Sequence, residues 1–479
     1  LDFAKYIVDS WEEEGGAHVL STLTKLGRVD KTANGKAYEM LSNLVGLCEL
    51  YRATGESKYL VPAQNAWKDI VANQLYLTGT ASHFEHFHAP HDLPNKPGAD
   101  IGETCVTVTW IQLNTQLLRL TGEAKYGHEL ERSYLNHLMA AQRPDGREWA
   151  YYTSLEGTKP YGPGINCCVS SGPRGMAMAP QMVFFMRHTN KGMAHIFINT
   201  FETAKATLDY LGTPVTIEQV SELPFRGEVS LRIRAAKPVL IGFDIRIPQW
   251  AEGITAEAND DSGHHVVTDV KEGMHYEYGL FRDMTFRFHI PLKPRLINGS
   301  YSNKGLQALA YGSLVMAYND TAQKGLPIPR SLTFPATLPK LTVTNVNSIP
   351  TLKVPLKDGT ETRMATFVPF GFAGATGENY KIWLNAFGTK VAATPSLLSS
   401  GEESRSRTGN ANGSINDYDK DTFVVTFDNT KKPEDWYAIT LPKQTKIQKV
   451  VYAHGKSFHD GGWFDSTTGK PRIEVQETL

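Results

Sequence analysis

The sequence predicts a multidomain α + β protein, in which a partial helical (α/α)6-type barrel is followed by β-sandwich domains. Three observations lead to this fold class. The chain has 479 residues, which is too long for a single hydrophobic core. Residues 1–190 place apolar side chains at helical spacing, and short alternating strands begin at about residue 195.

The helical region contains an internal repeat. LSNLVGLCELYRATG (41–55) and VTVTWIQLNTQLLRLTG (106–122) both space apolar residues three or four apart and end in Thr-Gly, a helix stop signal. TGESKY then begins at Thr54 and TGEAKY at Thr121. Helical hairpins repeated in this way are typical of a toroid or solenoid of helix pairs. We expect about six helices, half of a closed barrel, and therefore a catalytic barrel at 1–190 that lacks its N-terminal part.

The rest of the chain is predicted to be β-structure. Segments such as HIFINTF, VLIGFDIRIPQW, MTFRFHIPL and ALAYGSLVMAY are short strands with the alternation of a β-sandwich. We predict a β-sandwich at 191–330, further sandwich strands at 331–395 and a discoidin-like β-sandwich at 396–479. The last has too few strands to close before Leu479, so we expect a truncated domain and a fragment of a longer protein.

The composition of the chain disfavours some classes of function and favours others. Lys plus Arg number 49 and Asp plus Glu 50, so the balanced charge gives no reason to expect a nucleic-acid partner. No window reaches the roughly 18 apolar residues of a membrane span. The first residue is Leu1 rather than Met, so we expect an upstream segment to have been removed. Four cysteines make no disulfide framework and favour metal binding or catalysis.

Two long polar loops lead into the cysteine motifs. Loop 80–102 runs into Glu103-Thr-Cys105, and loop 142–166 runs into the adjacent pair Cys167-Cys168. Adjacent cysteines form a disulfide only with a strained peptide link. One carboxylate and three thiols make a tetrahedral set for Zn²⁺. The alternative from the residues alone is buried core thiols, with Glu103 as a first-turn acid favoured by the helix dipole.

Several of these motifs resemble the cysteine-dependent β-L-arabinofuranosidase family of glycoside hydrolases. The resemblance covers about residues 36–320 and rests on GETCVTVTW, the pair in GINCC, DLPN in the first loop and RIPQW. It implies an (α/α)6 barrel followed by β-sandwiches. It also implies one Zn²⁺ bound by a Glu-x-Cys motif and a Cys-Cys pair.

The resemblance assigns roles residue by residue. The zinc ligands would be these four residues: Glu103, Cys105, Cys167 and Cys168. Cys167 would also be the nucleophile of a retaining glycosidase. Glu85, ten residues before the Asn of DLPN, would be the acid/base, and Tyr151 would contact the sugar. From the residues alone, Glu85 would be one solvated loop carboxylate among many and Tyr151 a packing aromatic.

This sequence departs from the family pattern near the sugar site. Lys36 stands where the family usually has a sugar-binding His, and a fixed ammonium there suggests a substrate that bears a carboxylate. Aceric acid, a branched acidic L-sugar of pectic rhamnogalacturonan II, would fit. Arg147 and Arg174 could assist, or they could be ordinary surface arginines.

The first loop also carries a dense set of histidines, His83, His86, His88 and His91. Their density resembles a metal site, but we interpret them as residues of a loop beside a sugar pocket and assign His86 to substrate binding. Ile165 and the Val-Ser-Ser after the cysteine pair also differ from the family pattern, without removing a zinc ligand.

The sequence therefore favours a retaining exo-glycosidase that releases a terminal L-arabinofuranose-type sugar, or aceric acid, from plant cell-wall glycans. Its partner would be a pectic or arabinosylated oligosaccharide, and this substrate class predicts a periplasmic or secreted location. Two other functions stay open at this point. One is a polysaccharide lyase that uses Tyr and His as base and acid. The other is a non-catalytic glycan-binding protein with structural cysteines.

Overall fold

A computed structural model describes most of the chain. The described residues are 1–95, 99–162, 164, 166–188, 194–261, 263–268, 270–319, 328–329, 331–346, 348–358 and 361–389, with short stretches between 402 and 475. The chain divides into two compact units, residues 1–389 and residues 390–479.

The first unit begins with helices. The α-helices are α1 (Asp2–Ser10), α2 (Val19–Lys25), α3 (Ala37–Thr54), α4 (Ser57–Asp69), α5 (Thr104–Thr121), α6 (Ala124–Arg132), α7 (Met139–Ala141), α8 (Cys167–Ala177) and α9 (Pro180–Val183). The described residues thus contain nine α-helices, where the sequence predicted about six. The number was wrong because α2, α7 and α9 are too short to show helical periodicity.

The predicted repeat of helical hairpins is confirmed. Helices α3 and α5 end at Gly55 and Gly122, which have φ of 71° and 73° and so take the left-handed conformation that glycine allows. Each helix is followed by a second one that runs into a π-helical segment, Ile70–Gln74 after α4 and Ser133–Leu138 after α6. The two hairpins pack on each other through α3 and α5, around a core that includes Trp67 and Trp110.

Two sheets follow in the same unit. The strands are β1 (Glu156–Gly157), β2 (Phe184–His188), β3 (Ala194–Ile198), β4 (Ala204–Tyr210), β5 (Thr213–Ser221), β6 (Glu228–Ile247), β7 (Thr255–Asp260), β8 (Gly263–Val267), β9 (Gly273–His289), β10 (Pro294–Asn298), β11 (Leu306–Tyr311), β12 (Leu314–Asn319), β13 (Leu332–Thr333), β14 (Val343–Val346), β15 (Ile349–Asp358), β16 (Glu361–Pro369), β17 (Tyr380–Lys381) and β18 (Leu384–Asn385). Short 3-10 turns lie at Val29–Lys31 and Tyr301–Asn303.

Among the described residues, the first sheet has eight strands and the second has ten. The first runs β2-β3-β6-β9-β7-β8, with the β4–β5 hairpin paired to β6. The second runs β1-β17-β12-β16-β15-β13-β18-β11-β10, with β14 on β15. Strand β2 lies inside the stretch that the sequence predicted to be helical, because FFMRH pairs with β3 along its whole length. Strand β1 lies inside a predicted loop and pairs with β17.

The second unit is described only in part. Strands β19 (Glu402–Arg405) and β22 (Tyr437–Thr440) pair antiparallel, as do β20 (Asn410–Asn412) and β21 (Phe423–Val425). The predicted discoidin-like sandwich at 396–479 otherwise lies outside the described residues. The domain boundaries at 190, 330 and 395 stay predictions.

Among the described residues, every helix is too short or too polar to cross a membrane.

Candidate functional site

Two helix N-termini bring the cysteine motifs together. Helix α5 begins at Thr104, after Glu103, and helix α8 begins at Cys167. The side chain of Asn166 caps α8 by accepting a hydrogen bond of 2.9 Å from the backbone N–H of Cys168. The positive ends of both helix dipoles therefore face the thiols and the Glu103 carboxylate, an arrangement that favours negative charge there.

Two glycines of α8 allow this helix to pack closely against Trp149 and α5. A Cβ at Gly172 would lie 2.3 Å from ring atoms of Trp149, and one at Gly175 would lie 2.7 Å from Val108 of α5. Both glycines are therefore needed for the contact that holds the Cys167-Cys168 end of α8 beside α5.

We predict that Gly172→Ala lowers the free energy of unfolding by roughly 1–3 kcal/mol, because Trp149 or α8 must move. The same shift would displace both cysteines of α8, so bound metal per chain should also fall. Gly46→Ala is the matched control, since Gly46 lies inside α3 with open space around it. That change should be neutral or slightly stabilising. Equal effects of the two substitutions on unfolding and metal content would contradict the close-approach argument.

The thiol cluster, Glu103, Cys105, Cys167 and Cys168, is compact. The Sγ of Cys168 lies 3.6 Å from that of Cys105 and 3.9 Å from that of Cys167. Cys167 Sγ lies 3.7 Å from Glu103 Oε1. All four cysteines of the chain are free thiols, and within the cluster Cys167 is exposed whereas Cys105 and Cys168 are buried. Cys167 is thus the thiol of the cluster that solvent and a ligand can reach.

The thiol cluster could hold a metal ion, because its four ligand atoms lie within 4.8 Å of one another. Thiolates bound at about 2.3 Å to a tetrahedral ion lie about 3.8 Å apart, close to the separations seen here. Glu103 is only 3% exposed, and its Oε2 has no hydrogen-bond partner among the described residues. Burying a carboxylate oxygen without a hydrogen-bond partner costs free energy unless a cation occupies the cluster.

Burial and crowding hold protons on the cluster in the absence of a cation. Burial, together with the nearby Glu85 charge, raises the pKa of Glu103 to about 7. Burial and the neighbouring Cys105 raise the pKa of Cys167 to about 11. The pKa of Cys105 is raised by Cys168 and by burial. Cys105 and Cys167 therefore need a bound cation to become thiolates at neutral pH.

Glu85 lies in a second group of polar side chains beside the cluster. Its Oε1 accepts hydrogen bonds from the hydroxyls of Tyr151, at 2.5 Å, and Tyr152, at 3.3 Å. Its Oε2 lies 3.2 Å from Lys36 Nζ, which is also 3.4 Å from Glu39 Oε1. The hydrogen bond from Tyr151 and the Lys36 ammonium lower the pKa of Glu85, against the effect of burial.

The backbone around Glu85 is strained. Ser82, Phe84 and Glu85 have φ of 72°, 49° and 64°, and such left-handed residues cost on the order of 1–3 kcal/mol each when they are not glycine. Hydrogen bonds hold the segment in place, from Ala37 N to Glu85 O and from Phe84 N to Asp100 O. Residues in this conformation cluster at binding and catalytic sites.

Tyr151 joins the two groups. Its hydroxyl binds Glu85, while its backbone oxygen accepts a hydrogen bond of 3.0 Å from Thr104 N and lies 3.9 Å from Cys168 Sγ. Burial and the hydrogen bond to Glu85 raise the Tyr151 pKa, so the hydroxyl stays protonated and donates. The predicted acid/base and the predicted metal ligands are therefore connected through one residue.

The remaining predicted residues lie at different distances from this centre. His86 is half-buried, pairs with Lys36 through a backbone bridge and donates from Nδ1 to Phe84 O. Arg174 is exposed and donates to Ser171 Oγ, which is in contact with Cys105. Arg147 is exposed in the turn 144–147, where its backbone N–H donates to Asp145. Its position gives no support for a role in the site.

Three contacts that hold the site were missed by sequence reasoning. Strand β1 pairs with β17, Lys381 Nζ lies 2.7 Å from Glu156 Oε2, and the Tyr380 hydroxyl donates to Ser154 O. These contacts fix the loop that carries Tyr151 from a sheet more than 200 residues later. Tyr152 was also missed, although the adjacent tyrosines in WAYYTSLE were a signal in the sequence.

His137 fixes the other loop from inside the core. It is fully buried, with Nδ1 2.8 Å from Thr78 Oγ1 and Nε2 3.2 Å from Gly102 O. Since a carbonyl oxygen only accepts, Nε2 carries the proton and Nδ1 accepts from Thr78. Burial and the charge of Lys159 lower the pKa of His137 to about 3.

We predict an acid-sensitive fold from this histidine. A histidine whose pKa falls from about 6.5 unfolded to about 3 folded stabilises the protein above pH 6.5, and this contribution is lost as the pH falls toward 3. The loss should be roughly 2 kcal/mol near pH 5. The free energy of unfolding, measured with urea, should differ less between pH 7 and pH 5 in His137→Gln than in the parent. Equal differences in both proteins would contradict this assignment.

Comparison with known proteins identifies the family. Residues 1–181 match the model of the β-L-arabinofuranosidase GH127 catalytic domain, and residues 195–276 match that of the GH127 middle domain. The chain is 28% identical over 295 residues to a non-reducing end β-L-arabinofuranosidase of Bifidobacterium longum subsp. longum. That alignment covers 54% of this chain and 43% of the relative.

Solved structures share the fold. A GH127 β-L-arabinofuranosidase from Geobacillus stearothermophilus T6 superposes with a TM-score of 0.64 at 19% identity, over 74% of this chain and 60% of that one. Another GH127 β-arabinofuranosidase gives a TM-score of 0.67 at 19% identity, over 81% of this chain and 68% of that one. This likeness supports a multidomain α + β protein. Together the two domain models match more than half of the chain, which therefore belongs to the GH127 β-L-arabinofuranosidase family.

Proposed function

We propose that this chain carries the catalytic centre of a retaining exo-glycosidase that releases a terminal L-arabinofuranose-type sugar from plant cell-wall glycans. The observation that carries the proposal is Tyr151, which binds the Glu85 carboxylate with its hydroxyl and contacts the thiol cluster with its backbone oxygen. A nucleophile and an acid/base in one site are what retaining hydrolysis requires. The family's catalytic and middle domains on this chain support the same reaction.

Two residues divide the chemistry. In the first step the Cys167 sulfur attacks the anomeric carbon while Glu85 donates its proton to the leaving glycosidic oxygen. In the second step Glu85 takes a proton from water, whose oxygen attacks the same carbon and displaces the sulfur. Each step breaks one bond to that carbon and forms another, so the configuration is inverted twice and retained overall. Cys167 suits the nucleophile because Cys105 and Cys168 are buried.

The ion that fits the thiol cluster best is Zn²⁺, since three sulfurs and one carboxylate oxygen are zinc donors. Glu103, Cys105, Cys167 and Cys168 would be its ligands. A bound zinc ion would keep the thiols deprotonated at neutral pH. The proposal includes an (α/α)6-type barrel and β-sandwiches for the whole protein, and a periplasmic or secreted location where such glycans are met.

Lys36 favours a substrate that carries a carboxylate, such as aceric acid of pectin. Its ammonium lies between Glu39 and Glu85 and lowers the Glu85 pKa. A substrate carboxylate that bound Lys36 would draw it away from Glu85 and add a second negative charge nearby. Both effects would raise the Glu85 pKa and leave the acid protonated for the first step. Acidic substrates would thereby prepare the acid/base, and neutral ones would not.

The pH profile tests the Glu85 assignment. Since the acid must be protonated in the first step, kcat/KM should fall as the pH rises through the Glu85 pKa, which lies below its ordinary value. Tyr151→Phe removes the hydrogen bond that lowers this pKa most, so the falling limb should move to higher pH. An unmoved limb in Tyr151→Phe, at whatever rate remains, would exclude Glu85 as the group that titrates.

The function itself is tested by metal content and sugar release. We expect about one zinc ion bound by the thiol cluster of each chain, and release of reducing sugar from pectic oligosaccharides with retained configuration. Acidic and neutral L-furanosides should be compared in the parent and in Lys36→Gln, which should lose the preference for the acidic one. Activity that survives complete zinc removal would favour a lyase, and binding without turnover would favour a glycan-binding protein.

A further inference from the structure

A second group of metal-ligand side chains lies in the loop that carries Glu85. His83, His88 and Asp92 each offer one ligand atom, and these atoms lie within 4.8 Å of one another. The group shares no residue with the thiol cluster. From the sequence, these histidines were interpreted as residues of a loop beside a sugar pocket, although their density resembles a metal site.

The distances fit a shared ion. His83 Nε2 lies 3.5 Å from Asp92 Oδ2, which is longer than an ordinary N–H···O hydrogen bond. Two ligands at about 2.0–2.1 Å from a tetrahedral ion lie about 3.4 Å apart. The rings of His83 and His88 stack with centroids 3.7 Å apart and an angle of 11° between their planes. The loop thus brings both imidazoles together, and one ring must rotate for both nitrogens to point at the same ion.

The orientation of His88 suits a ligand. Its Nε2 lies 2.8 Å from the backbone oxygen of His83 and must donate to it, because a carbonyl only accepts. Nδ1 is therefore the nitrogen with a lone pair. Metal-bound histidines usually donate their second N–H to a carbonyl or carboxylate in this way, which fixes the tautomer and the ring.

We propose that His83, His88 and Asp92 form a second metal site, for a divalent transition-metal ion of the zinc type. Two imidazole nitrogens and one carboxylate oxygen are donors that zinc, nickel and cobalt accept, and they leave a position for water. Asp92 has a side chain that is 55% exposed, so an ion reaches the site from solvent. The site differs from the thiol cluster in donor type, and the two can be distinguished by spectroscopy.

A metal ion bound at this site would hold the strained segment around Glu85 in its conformation. His83 precedes Glu85 by two residues and His88 follows it by three, so one ion bound to both closes a small ring of backbone. Left-handed Phe84 and Glu85 lie inside that ring. Strained residues persist when the surrounding structure holds them, and a metal bond across the segment does so. The ion would thus position the carboxylate without contacting the substrate.

Cobalt titration of the unmodified chain of 479 residues tests the site without any substitution. Co²⁺ at the thiol cluster absorbs in the near ultraviolet through sulfur-to-metal charge transfer. Co²⁺ at the His83 site shows only the weaker visible bands of nitrogen and oxygen ligands. We expect visible absorption to keep rising up to about two equivalents, after charge transfer has saturated. Saturation of both signals at one equivalent would overturn the proposal.

Substitutions show which residues bind the second equivalent of metal. Cys105→Ser/Cys168→Ser should lose the charge-transfer band and keep about one zinc ion per chain by elemental analysis. His83→Asn/His88→Gln should lose the visible-only equivalent and keep the charge-transfer band. His91→Gln is the matched control, because His91 stacks on Tyr301 and stands outside the ligand set. Loss of all metal in the cysteine variant, with a folded circular-dichroism spectrum, would show that the three residues are packed without a metal.

These readouts do not require turnover, so they separate the second site from the proposed glycosidase activity. If both metals bind and no sugar is released, the metal site stands and the proposed function fails. If sugar is released and only one equivalent of metal binds, the proposed function stands and the second metal site fails.

Discussion

Replacing Cys167 with serine is expected to lower kcat/KM for glycoside hydrolysis by at least ~10³-fold, while the protein stays folded. Cys167 is the exposed thiol of a cluster whose other two thiols are buried. A serine hydroxyl is a far weaker nucleophile and a poor zinc ligand. Glu103, Cys105 and Cys168 would remain, so the assay should contain added zinc to separate loss of the nucleophile from loss of the metal.

Cys48 provides the matched control for the Cys167 variant. It is a buried thiol in α3, outside the thiol cluster. Cys48→Ala should keep both activity and zinc content, with a small loss of stability from the vacated volume. Full activity in Cys167→Ser would show that the thiol cluster is structural and that the nucleophile lies elsewhere.

Replacing Glu85 with glutamine should lower kcat/KM for natural substrates by about 10²–10⁴-fold, the second largest effect that we expect. The amide neither protonates the leaving oxygen nor accepts a proton from water. A 4-nitrophenyl glycoside has a leaving group that departs without protonation, so its first step should survive and its second step should become slow. A burst of 4-nitrophenol followed by a slow steady rate is therefore expected.

Glu39 offers a control that keeps Glu85 intact. Glu39→Gln removes the other carboxylate that pairs with Lys36. It should leave hydrolysis of the 4-nitrophenyl substrate without a burst. Loss of both steps to the same extent in Glu85→Gln would instead indicate a structural role for this carboxylate.

The composition of the site was predictable where a motif carried it. The resemblance of GETC and GINCC to the family predicted a cluster of one carboxylate and three thiols, and the structure brings these residues together across more than 60 positions of sequence. The repeat at TGESKY and TGEAKY also predicted the two hairpins, because a helix stop signal is local in sequence. Both predictions use information within a few neighbouring residues.

The missed features depend on contacts between distant segments. β1 has two residues and forms only because β17 lies beside it. The ion pairs that Lys36 forms with Glu85 and Glu39 were not predicted, because no pattern around KAYE reveals them. His137 has the sequence context of an ordinary helix residue, yet it is fully buried between Thr78 and Gly102.

In the proposed mechanism, Cys167 forms a covalent bond to the sugar. The most direct measurement is mass spectrometry of Glu85→Gln quenched during turnover of a 4-nitrophenyl L-arabinofuranoside, with peptide mapping of any adduct. We expect one anhydropentose per chain on the peptide that contains Cys167, and no adduct in Cys167→Ser/Glu85→Gln. An adduct on another residue would contradict this mechanism, as would turnover of the parent with inverted configuration.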